Sequence, residues 1–129
     1  MKILQEDYDL AKARSLQIKQ ELRNLAEEFK EVLGQSSETW HDNAPWDDAK
    51  SREKLLLIEQ YDLQKILVEA RIEKVDSKSL IGKKYKVNYN GRDVYIYLAG
   101  DFTMRTGQKI DDHVIVSLDS PIAQTIIAQ

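Results

Sequence analysis

Cysteine is absent from the 129-residue chain, which excludes a disulfide framework, a thiolate zinc site and a cysteine nucleophile. Histidine occurs only at His41 and His113, too few for an all-histidine metal site, so carboxylates would have to hold any metal. The longest apolar run covers residues 94–99, far below the roughly 20 residues that cross a bilayer, and the first residues lack a signal peptide's apolar core. The sequence therefore predicts a cytoplasmic protein with no membrane partner.

Glycine first occurs at Gly34 and proline at Pro45, so neither residue interrupts a helix in the first part of the chain. Apolar or small residues there alternate spacings of four and three, as in the heptad seam of a coiled coil. They are Leu4, Tyr8, Ala11, Ser15, Ile18, Leu22, Leu25, Phe29 and Val32. The pattern predicts a helix about 43 Å long, which cannot bury its apolar stripe alone.

A second run, residues 46–75, also lacks glycine and proline and is nearly as long. Its apolar face is Trp46, Ala49, Leu56, Leu63, Leu67 and Ala70, interrupted by Glu53 and Gln60. Residues 34–45 between the runs are mostly polar and turn-forming. We predict an antiparallel helical coiled-coil hairpin. An intermolecular coiled coil is the alternative, but pairing within one chain has the lower entropic cost.

The remaining residues change to the period of β-strands. Residues 84–89 and 93–98 alternate polar with apolar side chains around Asn90-Gly91, a strong hairpin signal, and residues 113–117 predict a third strand. Ser120-Pro121 predicts the start of a short helix.

Charge also changes along the chain. Residues 1–76 carry 12 basic and 17 acidic side chains, whereas residues 77–129 carry 7 and 5. The overall prediction is an α+β chain with the hairpin over residues 1–76, a tip loop near 34–45, and a small antiparallel β domain over 77–129. Because so few strands make a thin core, we expect this β domain to be incomplete or supported by the helices.

Motifs of ordinary catalytic pockets are absent from the sequence: it has no glycine-rich phosphate loop, no His-Glu-x-x-His and no nucleophile elbow. Acidic residues concentrate instead around the predicted tip, where Asp47 and Asp48 are explained by the positive end of the second helix. Glu38 and Asp42 precede that helix. An exposed carboxylate cluster suits a hard cation such as Mg²⁺, so the tip is a candidate metal site, with capping of the second helix by Asp42 or Asn43 as the alternative.

Two segments resemble signatures of the Gre family, the bacterial transcript-cleavage and elongation factors GreA and GreB. Residues 42–50, Asp-Asn-Ala-Pro-Trp-Asp-Asp-Ala-Lys, are similar to the family's Glu-Asn-Ala-x-Tyr-x-x-Ala-Lys at the hairpin tip. Residues 116–123, Val-Ser-Leu-Asp-Ser-Pro-Ile-Ala, are similar to its second signature. The resemblance implies a β domain of the FKBP-like fold, and because the family continues with further strands, it implies a C-terminally truncated sheet.

The resemblance also implies a function. In that family the globular part docks at the rim of the secondary channel of RNA polymerase, and the rod carries the tip to the catalytic Mg²⁺. The protein would then stimulate the polymerase's own cleavage of backtracked RNA and would have no independent enzymatic activity. The implied partners are RNA polymerase and the nascent RNA 3′ end, with only indirect binding to DNA, and the protein would act as a monomer.

Site residues follow from the same resemblance, position by position. Asp42 takes the place of the family's tip Glu, and with Glu38 it is the expected catalytic and metal-binding pair for a Mg²⁺ ion shared with the polymerase. The other tip positions are Thr39, Asn43, Ala44 and Trp46. The expected polymerase-docking residues are Asp119, Ser120 and Pro121. The expected RNA-proximal basic residues are Lys50, Arg52 and Lys54, for which a solvated helix face is the alternative.

Thr39 stands where the family has a second tip acid, three residues before the Glu. A threonine hydroxyl is not a carboxylate ligand, which favours a second hypothesis: a regulator that occupies the secondary channel without stimulating cleavage. A third hypothesis is a coiled-coil adaptor unrelated to polymerase, with a peptide-binding β domain.

Overall fold

The computed structural model describes residues 1–35 and 44–128 of the chain, and the side chains of 1–31 and 46–128. A helical hairpin is followed by a small β-sheet domain, which confirms the predicted fold class. In chain order the elements are β1 (Lys2–Ile3), α1 (Gln5–Gln35), α2 (Ala44–Glu69), β2 (Arg71–Ile72), β3 (Lys83–Tyr89), β4 (Arg92–Leu98), β5 (Lys109–Ile110), β6 (His113–Val116) and α3 (Pro121–Ile127).

Contacts divide the described chain into two compact units. The hairpin unit is Lys12–Lys65, and the sheet unit combines Met1–Ala11 with Ile66–Gln129. The chain passes from one unit to the other inside α1 and again inside α2, whereas the sequence predicted a single boundary near Asp76.

Within the hairpin unit, α1 and α2 pack antiparallel in one chain. Arg14 pairs with Glu59 and Phe29 with Trp46, so the partner number falls as the first number rises. The predicted seam is confirmed where side chains are described, because Ile18 and Leu25 are buried on α1 and every predicted face position of α2 is at least partly buried. The predicted intrachain pairing is therefore confirmed over the alternative of an intermolecular coiled coil.

The second helix ends at Glu69, so the prediction that it continues to Val75 was wrong. After that residue the backbone pairs with the start of the chain: the Arg71 amide donates to the Met1 carbonyl at 2.8 Å, and the Glu73 amide donates to the Ile3 carbonyl at 2.9 Å. These bonds make β1 and β2 a parallel pair. Backbone pairing with a distant segment overrides the local helical preference.

The main sheet has four strands in the order β3-β4-β6-β5. Asn90 and Gly91 have φ of 53° and 80° and form the predicted two-residue turn between β3 and β4. The prediction of three antiparallel strands was wrong in two respects, because β5 adds a strand and β4 pairs with β6 in parallel. The chain crosses over between β4 and β6 through residues 99–112, which is long enough to return to the other end of the sheet, so that β6 runs in the same direction as β4.

The core of the sheet unit lies where the sheet meets the first residues of the chain and α3. The buried cluster is Leu4, Ile81, Leu98, Ala99, Ile115 and Ala123. Leu4, the residue just before α1, belongs to this core, so the start of the chain supports the sheet, as expected for so few strands.

Candidate functional site

The predicted tip residues Glu38, Thr39, Asp42 and Asn43 lie outside the described residues. Ala44 begins α2, and Trp46 is the first side chain described on that helix. The metal-binding role of Glu38 and Asp42 therefore stays a prediction. Within residues 1–35 and 44–128, no group of three or more potential metal-ligating side chains lies close together.

An aromatic and cationic cluster lies beside the tip segment. Phe29 on α1 and Trp46 on α2 pack edge to face, with ring centroids 4.8 Å apart. The Lys50 ammonium lies 4.7 Å from the Phe29 centroid and 5.3 Å from the Trp46 centroid, within the range of cation–π attraction. The cluster joins the two helices next to the segment that carries the predicted ligands, which limits the separation of that segment's ends.

The three predicted basic residues do not share one face of α2. Helical rotation of about 100° per residue places Lys50 and Lys54 on one flank and Arg52 on the other. Arg52 donates to Glu28 at 2.7 Å and to Asp48 at 3.1 Å, and its hydrogen bond with Glu28 raises the pKa of Arg52. Lys54 has no ion-pair partner among the described residues. Lys50 pairs with Glu53 at 3.6 Å. Among the described residues, Lys54 is therefore the one of the three that keeps an unpaired charge as a candidate anion contact.

Arg14 and Glu59 form a bidentate ion pair that sequence reasoning missed. The Arg14 Nε and Nη2 atoms donate to the two Glu59 carboxylate oxygens at 2.7 and 2.8 Å. This hydrogen bonding lowers the pKa of Glu59 and raises that of Arg14. The pair lines a groove of about 440 Å³ between the helices, together with Glu21, Asn24, Leu25, Glu28, Arg52, Leu55 and Leu56. Each of the three carboxylates along this groove contacts a guanidinium, with Arg14 shared between Glu21 and Glu59, so we assign the groove to the stability of the hairpin.

The second signature forms a hydrogen-bonded turn that leads into α3. Ser120 caps α3 by accepting from the Ala123 amide at 3.3 Å, and it donates to the Ser117 carbonyl at 2.7 Å. The Ser117 hydroxyl donates to Asp119, whose side chain is exposed, as is Pro121. Two of the three predicted docking residues are therefore accessible on a fixed turn, and Ser120 is partly buried as the helix cap.

A buried carboxylate in the sheet unit also escaped prediction. Asp7 on α1 has no exposed surface and accepts from Thr103 at 2.8 Å and from the Arg105 Nε and Nη2 atoms at 2.8 and 3.1 Å. The hydrogen bond to Asp7 raises the pKa of Arg105. A single sequence contains no local pattern that indicates hydrogen-bond partners so far apart along the chain. The network fixes the connection between β4 and β6 on the start of α1, which is a structural role.

None of the helices in the described part of the chain has the length and apolar character needed to span a bilayer. No family model matches the sequence, and a comparison with curated proteins finds no match.

Solved structures do resemble the chain. One described as the transcription factor Gfh1 is 17% identical and has a TM-score of 0.55, with 96% of this chain and 79% of the other covered. GreA factor homolog 1 (Gfh1) of Thermus thermophilus is 17% identical, with a TM-score of 0.54 and coverages of 96% and 80%. Gfh1 of Thermus aquaticus is 16% identical, with a TM-score of 0.53 and coverages of 96% and 79%. The chain therefore has the fold of these Gre-like proteins, a helical hairpin followed by a small β-sheet domain.

Proposed function

We propose that this protein is a transcription factor that binds RNA polymerase and acts through its secondary channel. The observation that carries the proposal is the likeness in fold to the transcription factor Gfh1 over 96% of the chain. Agreement over both the hairpin and the sheet is more specific than a coiled coil alone, because many unrelated proteins contain helical hairpins. Two positions support the proposal: the described part of the first signature, residues 44–50, begins α2, and the second signature forms the turn before α3 and the start of that helix.

The hairpin suits delivery of a few groups to a deep site. Residues 12–35 of α1 extend roughly 36 Å at the usual rise of a helix. The seam is closed by apolar packing and the ion pair between Arg14 and Glu59, so the helices need no partner to bury it. A rod of this kind needs no pocket of its own, since the polymerase would supply the enclosed site.

The finer proposal concerns chemistry at the tip. Asp42 and Glu38 are proposed to share a Mg²⁺ ion with the polymerase, where two metals stabilise the attacking and leaving oxygens of a phosphodiester. The chain's own contribution is position and two carboxylates. The Phe29–Trp46 contact supports this role, because it restrains both ends of the segment that holds them.

Binding is tested first, by fluorescence anisotropy of the labelled full chain titrated with bacterial RNA polymerase. We expect Asp119→Ala to weaken binding about tenfold, since an exposed carboxylate on a fixed turn is lost. Asp93→Ala is the matched control, because Asp93 is also exposed and lies on the same unit outside the signature. The absence of any binding by the unmodified chain would refute the proposed partner and favour the adaptor hypothesis.

Cleavage is tested separately in a stalled, backtracked polymerase complex. If the protein stimulates cleavage, the RNA shortens at its 3′ end, and Asp42→Asn abolishes the effect. Asp48→Asn is the control, since the Asp48 carboxylate already pairs with Arg52. A chain that binds polymerase without shortening the RNA at saturation contradicts the cleavage proposal.

A non-cleaving regulator is the second candidate, favoured by Thr39 at the position of a tip acid. Such a protein would compete for the channel and change pausing or initiation. Thr39→Asp separates the candidates, because restoring the missing carboxylate is expected to confer cleavage on an inactive regulator. If that variant also fails to stimulate cleavage, Thr39 was not the reason for the absence of cleavage activity.

A further inference from the structure

The two edges of the hairpin differ in charge. We assign the buried seam residues to heptad positions a and d. Position g then contains Arg14, Glu21, Glu28, Arg52 and Glu59. On this edge every charged side chain has an ion-pair partner, including Arg14 with Glu59 at 2.7 Å and Arg52 with Glu28 at 2.7 Å. In an antiparallel pair, g faces g and e faces e, so the second edge is built from the e positions.

The e edge, as we name it, contains no carboxylate at its e positions. These are Lys12, Lys19, Ala26, Lys50, Leu57 and Gln64. The register that pairs Arg14 with Glu59 brings lysines on α1 opposite apolar or amide side chains on α2. Lys12 and Lys19 have no ion-pair partner among the described residues. Coiled coils normally place opposite charges at these positions. Lys50 pairs with Glu53 at 3.6 Å, so the charges of this edge that stay unpaired within the described part of the hairpin are those of Lys12 and Lys19.

Apolar side chains lie exposed on the α2 side of this edge. Leu57 and Ile58 are each 51% exposed and Tyr61 is 70% exposed, although the core face of α2 lies elsewhere on the helix. With Lys50, Glu53 and Lys54 they line a shallow groove of about 490 Å³. Single exposed apolar residues are ordinary, but three adjacent ones on one helix flank mark an interaction surface.

We propose that the e edge binds an acidic amphipathic helix of a partner protein, which packs along the hairpin as a third helix. Its apolar stripe would cover Leu57, Ile58 and Tyr61, and its flanking Asp or Glu side chains would pair with Lys19 and with Lys54, which lines the same groove. Charge complementarity selects this occupant. A second copy would bring lysines against lysines, and a nucleic acid would leave the aliphatic side chains of Leu57 and Ile58 uncovered.

The inference does not depend on the proposed polymerase function, because it concerns only the hairpin unit. The probe is a synthetic three-heptad peptide with leucine at positions a and d and glutamate at e and g. A scrambled peptide of the same composition keeps the charge and removes the apolar stripe. Binding of both to the full chain is measured by fluorescence anisotropy, with a single-stranded oligouridylate in parallel.

We expect the amphipathic peptide to bind and the scrambled peptide to bind at least tenfold more weakly. Leu57→Ser and Lys19→Glu should each weaken peptide binding about tenfold while circular dichroism shows an unchanged helical content. Lys109→Glu is the matched charge control, since Lys109 is exposed on the sheet unit, and it should change binding less than twofold.

Three results would overturn the proposal. The first is no peptide binding, or binding that neither hairpin variant changes. The second is oligouridylate binding that depends on Lys19 and is indifferent to Leu57→Ser, which would make the edge a nucleic-acid surface. The third is a dimer in sedimentation that Leu57→Ser dissociates, which would make it a contact between copies of this chain.

Discussion

Removing the Asp7 carboxylate is expected to destabilise the sheet unit strongly. Asp7 has no exposed surface, and Arg105 and Thr103 donate three hydrogen bonds to it. Breaking a buried ion pair by deleting one partner costs about 3–5 kcal/mol, because the other charge stays buried without compensation. Asp7→Ala would leave the Arg105 guanidinium in this position, with a side chain only 15% exposed.

Amide hydrogen exchange of β3 and β4, followed by mass spectrometry, measures this loss within the same unit. A loss of about 3 kcal/mol corresponds to exchange roughly 150-fold faster, since each tenfold change is worth about 1.4 kcal/mol. Lys84→Ala is the control, because its ion pair with Asp111 is exposed to solvent and contributes little to stability. The double variant Asp7→Ala with Arg105→Met should cost less than the sum of the two single changes.

The reasoning fails if Asp7→Ala accelerates exchange no more than Lys84→Ala does. That result would mean that the network is solvated in solution. A strictly additive double variant would show that Asp7 and Arg105 act independently.

Two further predictions concern the hairpin and the closure of the sheet unit. Arg14 lowers the pKa of Glu59 in the folded protein. The pair therefore stabilises the hairpin at pH values above the pKa of Glu59 in the unfolded chain, about 4.3. This contribution is lost as the pH falls below that value and through the lower folded-state pKa. Glu59→Gln should flatten that acid dependence. At pH 7 it should lower the free energy of unfolding by about 1 kcal/mol, because the Glu59 side chain is 41% exposed. Urea unfolding followed by tryptophan fluorescence measures both effects, and an unchanged acid dependence would contradict the prediction. Gly100→Ala places a Cβ against the Lys2 carbonyl oxygen and should therefore release β1. The backbone amides of β2 should then exchange faster. Gly107→Ala is the control, because its Cβ meets open space and should leave that exchange unchanged.

Local patterns in the sequence predicted the features that depend on neighbouring residues. The spacing through Ile18 and Leu25 predicted the seam, since a helix repeats its faces every three to four residues. Asn90-Gly91 predicted its turn because both residues tolerate positive φ, and Ser120 predicted a cap through its hydroxyl.

Features that depend on distant partners could not be predicted in this way. The end of α2 is set by pairing of Arg71 with Lys2, and Asp7 finds Arg105 at the other end of the chain. The crossover that makes β4 and β6 parallel likewise depends on how the sheet is completed. At the candidate site, a motif was enough to select Asp119 as an expected docking residue. The different contacts of Lys50 and Arg52 on α2 depend on side chains of α1, which the sequence alone does not place.

Pairing of β1 with β2 has a consequence for synthesis on the ribosome. Lys2 and Ile3 leave the exit tunnel first, yet their partners in β2 emerge only after both long helices have been translated. The helices have local contacts and can associate early, whereas the main sheet is completed only when β6 is available. A nascent chain arrested within β3 would therefore expose Leu4, whose apolar partners Leu98 and Ile115 are still to be made.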